Sequence, residues 1–393
     1  MHTGIGLSTA ADHIRASKEA TDKARQQIGK HRIDVALVFS SVDFAHNAVL
    51  KTISELLGDI PVFGASTLGV ISDRGIFKYS LAVLLLSMPK EAYFNVASVK
   101  DIGSRGAFLS GGELGEKLLY GCKGVHRTLS IVLSDGLLPE GEQLIYGLQE
   151  RLGKSFPLVG ACASDNLSFK KTYLYFGDEA SDNSACGILL GGKWNFGLGV
   201  RHGWKPLGKP RRVTRSKGNI VTEIDNTPAA KVYEDYFAKS IPEFKSDLKR
   251  IGMLYPIGIK IPGEKEYLLR SITAIKGDSL VFHGDVPQES TIRLMIVTKD
   301  SCLEAAGQAA SDVKRNLAGH SLSIALIFNS VSRFALMGRQ ARREIDLIKE
   351  TLGKDVPLIG IYTYAEQAPL SAINYLGKSY FQSHTITILG IGK

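Results

Sequence analysis

One short pattern is written three times along this chain, and it restricts the fold more than any other feature. Ile60-Pro61-Val62-Phe63-Gly64, Phe156-Pro157-Leu158-Val159-Gly160 and Val356-Pro357-Leu358-Ile359-Gly360 each set a proline before a short apolar run, with glycine three positions after the proline. Leu57-Gly58, Leu152-Gly153 and Leu352-Gly353 stand just upstream. Glycine after the last apolar helical position caps a helix, because a residue without Cβ takes positive φ at no steric cost. The preceding segments carry Val49, Ile53, Leu56 and Leu57, then Leu144, Leu148 and Leu152, then Ile345, Ile348 and Leu352 at helical spacing. Before each helix stands an apolar run without alternation, Val35–Phe39, Leu129–Leu133 and Ile324–Phe328, as suits strands buried on both faces. The repeated unit is therefore strand, helix, strand, with parallel pairing and a right-handed crossover.

Parallel strands end at one edge of their sheet, and open α/β sheets bind ligands beyond those carboxyl ends. All three units put polar residues there. The first strands run out into Ser40-Ser41, Ser134-Asp135-Gly136 and Asn329-Ser330; the second into Ser66-Thr67, Ser164-Asp165-Asn166 and Thr363-Tyr364 with Glu366. Each group adjoins a helix N-terminus, whose free N–H groups attract anions. Ser66, Thr67, Ser134, Asp135, Asp165, Asn166, Asn329, Ser330 and Tyr364 are thus candidate ligand contacts. The competing reading makes them helix caps and turn formers, with Asp165 and Asn166 closing a turn on backbone N–H groups.

At 393 residues the chain exceeds one ordinary domain. Two domains are expected, residues 1–205 with two units, and 206–393 with a hairpin, an antiparallel meander and the third unit. Residues 8–29 read as an amphipathic helix and 106–121 as a glycine-rich one. Leu81–Ser87 and Tyr93–Val99 read as a strand and its return, as do Ala185–Leu190 and the alternating run Trp194, Phe196, Leu198 and Val200. The third unit stops without such a return strand. Short strands between Ile251 and Val297, broken by Pro262-Gly263, Lys276-Gly277-Asp278 and His283-Gly284-Asp285, form the meander, and a helix is expected over 301–317.

Several functions are disfavoured. Cys122, Cys162, Cys186 and Cys302 lack CxxC spacing and the nine histidines form no HxxxH or HExxH pattern, so no metal or cofactor is expected and a reducing cytoplasm fits. Met1 to Gln27 contains no apolar signal core, and the longest apolar run, Leu81–Leu86, is too short for a membrane span. The net charge of +9 raises the question of nucleic acid. Residues 193–217 hold eight Lys/Arg and no acid, yet no nucleic-acid-binding motif accompanies them, so a solvated face is favoured. Gly64-Ala65-Ser66 lacks nucleophile-elbow spacing and no motif supplies a histidine base, which leaves a hydrolase or transferase as the alternative.

With these residues assembled, the chain resembles the FIST family of sensory domains over nearly its whole length. The resemblance rests on Asp135-Gly136-Leu137, Pro157 to Gly160, Ala163 to Asn166 and Lys171-Thr172-Tyr173. It continues in Gly203 to Gly208, Asp225 to Ala229, Tyr255 to Gly258, Asn329 to Arg333, Glu344 and Gly360 to Glu366. Ala65, Val70 and Ser330 depart from the family's usual Cys, Glu and Cys, so no thiol chemistry is implied. The resemblance implies a small-molecule sensor, with amino acids or related carboxylates as ligands and a separate kinase, cyclase or chemoreceptor as output partner. Arg333 beside a helix N-terminus could clamp a carboxylate and Glu366 receive an ammonium; the alternative is an ion pair between those two. Glu344 reads as solvated or paired with Arg342.

Overall fold

The structure is a computed structural model that describes residues 1–237, 240–370 and 378–392. Its body is one topological unit used three times. The first comprises β1 (His2–Ser8), α1 (His13–Ile28), β2 (Val35–Ser41), α2 (His46–Leu57), β3 (Val62–Thr67), a small hairpin of β4 (Val70–Ser72) and β5 (Gly75–Phe77), and β6 (Leu81–Ser87). The second repeats this order with β7 (Tyr93–Val99), α3 (Ile102–Arg105), α4 (Ala107–Leu118), β8 (Arg127–Ser134), α5 (Gly141–Leu152), β9 (Leu158–Cys162), the hairpin β10 (Leu174–Phe176) and β11 (Glu179–Ser181), and β12 (Ala185–Gly191).

The third opens with β13 (Phe196–Arg201) and is then interrupted by an inserted sheet. The insert runs through β14 (Lys205–Lys217), β15 (Ile220–Ile224), β16 (Thr227–Pro228), α6 (Ala229–Phe237), α7 (Ile241–Ser246) and α8 (Leu248–Leu254). It closes with β17 (Ile257–Lys260), β18 (Tyr267–Arg270), β19 (Ile272–Lys276), β20 (Ser279–Phe282) and β21 (Thr291–Ile296). The third unit resumes with α9 (Lys299–Asn316), β22 (Leu322–Ser330), α10 (Val331–Met337), α11 (Ala341–Leu352), β23 (Leu358–Thr363), the hairpin β24 (Glu366–Pro369) and β25 (Ser379–Gln382), and β26 (Ile386–Gly392). The expected mixed α/β class and antiparallel C-terminal sheet are present; residue 205, after which the boundary is expected, is the first residue of β14.

Each unit centres on the parallel pair its repeated motif forecasts: β2 with β3, β8 with β9, β22 with β23. Gly58, Gly153 and Gly353 cap the crossover helices at φ 69°, 109° and 125°. The motif's other glycine has a different cause. A Cβ at Gly64 or Gly160 would lie 1.8 Å from the carbonyl oxygen of Val38 or Val132, and at Gly360 2.2 Å from that of Ile327. The paired strands approach too closely there for any side chain.

The strands that read as returns do something else. Tyr93–Val99 does not fold back on β6 but crosses to pair with β12, and β13 crosses to pair with β26, while β1 pairs with β6. They open the next unit, and the third unit does not lack its edge strand. The small hairpins also change sheets: β10 pairs with β3, β24 with β9 and β4 with β23. Every unit therefore lends a hairpin to its neighbour, cyclically, and the three six-stranded sheets have matching orders. The same backbone position receives each loan: Ser66 N–H donates to Tyr173 O at 2.8 Å, Cys162 N–H to Ala365 O at 2.8 Å, and Tyr362 N–H to Gly69 O at 3.2 Å.

Candidate functional site

The second-strand ends converge, and their hydroxyls are spent on one another. Thr67 Oγ1 lies 2.8 Å from Tyr362 O, Ser164 Oγ donates to the same carbonyl at 2.6 Å, and Ser66 Oγ donates to Ser164 O at 3.1 Å. Ser134 Oγ accepts from Gln367 Nε2 at 2.9 Å. These buried groups join the units.

Arg333 and Glu366 do not form the expected clamp. Arg333 is fully buried; Nη2 pairs with Glu344 and donates to Cys302 O at 2.8 Å, and Nη1 donates to His202 O at 2.5 Å. Glu344 is likewise fully buried rather than solvated, because it is the counter-ion this guanidinium requires, and Arg342 turns to Asp346 instead. Asn329 Nδ2 donates to the other Glu344 oxygen at 3.3 Å. Glu366 accepts from Thr363 Oγ1 at 2.6 Å and from Thr385 N–H and Oγ1 at 3.0 and 2.7 Å. Burial pushes its pKa up to about 8, against the opposing pull of those hydrogen bonds.

A hollow of about 390 Å3 does open beside the strand ends of the second and third units. Its floor is Gly136 to Pro139 after β8, Val331 and Ser332 after β22, Tyr364 after β23, and Phe169 in the loop after β9. Its roof is the insert: Leu248, Lys249, Gly252 and Met253 of α8, Ser271 to Thr273, and Val281 to His283. The volume is that of a small-molecule site. Two more open grooves, of about 480 and 530 Å3, lie at the opposite strand end around Pro357, walled largely by ordinary surface residues such as Lys23 and Gln27.

The candidate residues relate to the hollow in two ways. Tyr364 lines it. Asp135, Asp165 and Ser330 hold lining segments in place: Asp135 accepts from Leu137 N–H at 2.9 Å, and Ser330 caps α10 through Ser332 N–H. Asp165 collects Ser168 Oγ, the N–H groups of Phe169, Lys170 and Lys171, and the Tyr364 hydroxyl. Burial raises its pKa, but these donors outweigh burial and hold it below the usual carboxylate range. Asn166 is exposed on the same loop.

The sequence does not announce this roof: short strands are expected from Ile251, yet Leu248–Leu254 is helical, and His283-Gly284 reads only as a turn. Yet the insert is fastened by a buried cluster. Arg270 donates to Glu142 at 2.8 Å, to Phe381 O at 2.6 Å and to Asp285 O at 3.0 Å, while Asp285 N–H donates to Glu142 at 2.7 Å. Trp204 Nε1 donates to Leu254 O at 3.0 Å, and His384 Nε2 lies 3.0 Å from Met253 O. His283 is neutral at physiological pH, since burial and then the nearby Arg270 charge push its pKa down to about 4.

The fold and the hollow together define a class: a three-unit α/β body with an inserted antiparallel sheet roofing a cavity at its strand ends. The chain belongs to the FIST family, for the FIST N domain matches residues 34–227 and the FIST C domain residues 229–369. FIST domains are sensory domains. An uncharacterised protein of Mycobacterium tuberculosis is 24% identical over 96% of this chain and 97% of its own length. Another, of Methanocaldococcus jannaschii, is 24% identical over 72% of this chain and 57% of its own. Among solved structures, cyanuric acid hydrolase aligns over 100% of this chain and 99% of that one, with 6% identity and a TM-score of 0.39, a likeness too slight to inform function. Among the described residues no helix is long and apolar enough to cross a membrane, and no cluster of His, Cys, Asp or Glu could hold a metal ion.

Proposed function

We propose that this is a cytoplasmic sensory protein that takes a small carboxylate-bearing molecule into the hollow between body and insert, and passes the signal to a separate kinase, cyclase or chemoreceptor. One observation carries the reading: segments following four strands of two different units converge with the inserted sheet around one cavity. Ligand contact with both parts would bias their relative placement, which is what a sensor needs to transmit. Tyr364 contributes directly, and Asp165, Asp135 and Ser330 by holding the floor. A thermal-shift panel of amino acids, other carboxylates and nucleotides tests this. Stabilisation by at least one compound, abolished by Leu137→Trp, is expected; no stabilisation by any would end the proposal.

A second reading, a hydrolase in the same cavity, draws on Ser271, whose Oγ lies 3.5 Å from His384 Nδ1 while the other ring nitrogen faces a carbonyl. That distance is long, and burial pushes the His384 pKa down to about 3, which makes a weak base. Turnover of an activated ester that disappears in Ser271→Ala would favour it over sensing. The nucleic-acid reading loses ground in β14, where Arg211, Arg212 and Arg215 pair with Asp225, Glu289 and Glu223. Neutralised cations release few counterions on a phosphate backbone.

A further inference from the structure

Inside the hollow the loop after β9 is unusual. Leu167 and Phe169 both sit at positive φ, 68° and 54°, a conformation that L side chains rarely adopt. The five donors gathered by Asp165 hold the chain there. The result is an aromatic step in the cavity wall: Phe169 is stacked on Tyr364 with ring centroids 4.5 Å apart and planes 12° from parallel. Phe169 stays 39% exposed, so its ring is available to a further partner. Lys249 of α8 reaches over it, with Nζ 5.4 Å from the ring centroid.

Charge narrows the choice of partner. Lys249 is the only charged side chain among the described residues that line the hollow, since His283 is neutral, and no described carboxylate pairs with it. Most of the remaining wall is apolar: Leu137, Leu138, Leu248, Met253, Ile272 and Phe282. The Ser332 hydroxyl has no hydrogen-bond partner among the described residues and can take one bond from a ligand.

Resting on the reading of the hollow as a ligand site, we infer that it selects a planar, largely apolar monoanion, an aryl or arylalkyl carboxylate, and discriminates against the corresponding zwitterionic amino acid. The ligand ring packs against the part of Phe169 that Tyr364 leaves uncovered, and the carboxylate draws the flexible Lys249 ammonium from over that ring to itself. An α-ammonium would stand in an apolar chamber beside a like charge, with no carboxylate lining the wall to receive it.

Isothermal titration of the full chain with phenylacetate, phenylacetamide and phenylalanine tests this. Phenylacetate is expected to bind roughly tenfold or more tightly than either of the others. Lys249→Met, an exposed position whose loss does not threaten folding, should erase the preference over phenylacetamide; Phe169→Ala should weaken phenylacetate and phenylacetamide alike. Equal binding of phenylalanine or the amide, or phenylacetate binding unchanged in Lys249→Met, overturns the ligand class while leaving the cavity as a site. Absence of binding by all three also overturns the class, and the wider thermal-shift panel then decides separately whether the cavity binds anything.

Discussion

Arg333 and Glu344 illustrate how a charge that looks functional in sequence can be consumed by the fold. Both are fully buried, and the guanidinium also serves two backbone carbonyls from distant segments, His202 and Cys302. Removing one member strands the other's charge in the interior, so Arg333→Met should cost about 3–5 kcal/mol in urea unfolding, and Arg333→Met with Glu344→Leu markedly less than that. The place of Arg333 at the start of a helix after a parallel strand is legible in the sequence. Its partner is not, because Glu344 enters from a different helix and nothing in residue spacing reports which of Glu344 or Glu366 a buried arginine will face. Glu366 makes a separate prediction. Its unfolded value is 4.5 and its folded value about 8, so the folded chain holds the extra proton between them. Its contribution is complete below pH 4.5 and is lost as pH rises toward 8. Urea midpoints of Glu366→Gln should fall less steeply over that window than those of the parent, and parallel slopes would refute the assignment.

Elements were legible where local chemistry dictates them. The cap glycines, the helical stripes and the apolar parallel strands all follow from residue type and spacing, and the glycine of the repeated motif is required because Val38, Val132 and Ile327 carbonyls occupy the space of a side chain. Gly160→Ala should therefore destabilise by about 3 kcal/mol or more, measurable in the same unfolding experiment. Strand partnership was not legible. Tyr93–Val99 follows β6 through a turn of the sort that closes hairpins, yet its pairing is with β12, almost a hundred residues on, a choice that depends on how whole units pack. The loop after β9 is a third case. Asp165 stood out as a polar residue at a strand end, but its role is to accept from four neighbours on its own loop and from Tyr364. Asp165→Ala should cost about 1–3 kcal/mol in unfolding, because its donors lose a buried acceptor, and should weaken ligand binding at least about tenfold, because Phe169 then relaxes from positive φ.

At the scale of the molecule, the cyclic loan of hairpins makes the three units one cooperative body, and the insert is a roof fastened at a few points. Glu142 is central to that fastening, accepting from Arg270 and from Asp285 N–H while its other oxygen receives the Tyr146 hydroxyl at 2.7 Å. Glu142→Leu should loosen the insert before the body, seen as faster proteolysis within residues 205–296 at a temperature where the three sheets stay intact. The hollow itself is only half legible in the sequence. Strand ends pointed to the right edge of the sheets, but the roof comes from a segment whose sequence speaks of short strands and turns and not of a cavity wall.

The claim that the cavity is where this protein meets its ligand can be put to hydrogen exchange, measured with and without whichever compound of the panel stabilises the chain most. Protection is expected together at residues 136–139, 248–253, 271–273 and 331–332, segments of the second unit, the insert and the third unit that meet around this hollow. Protection centred instead on the groove around Lys23, Gln27 and Arg74, or confined to one of the four segments, would contradict it.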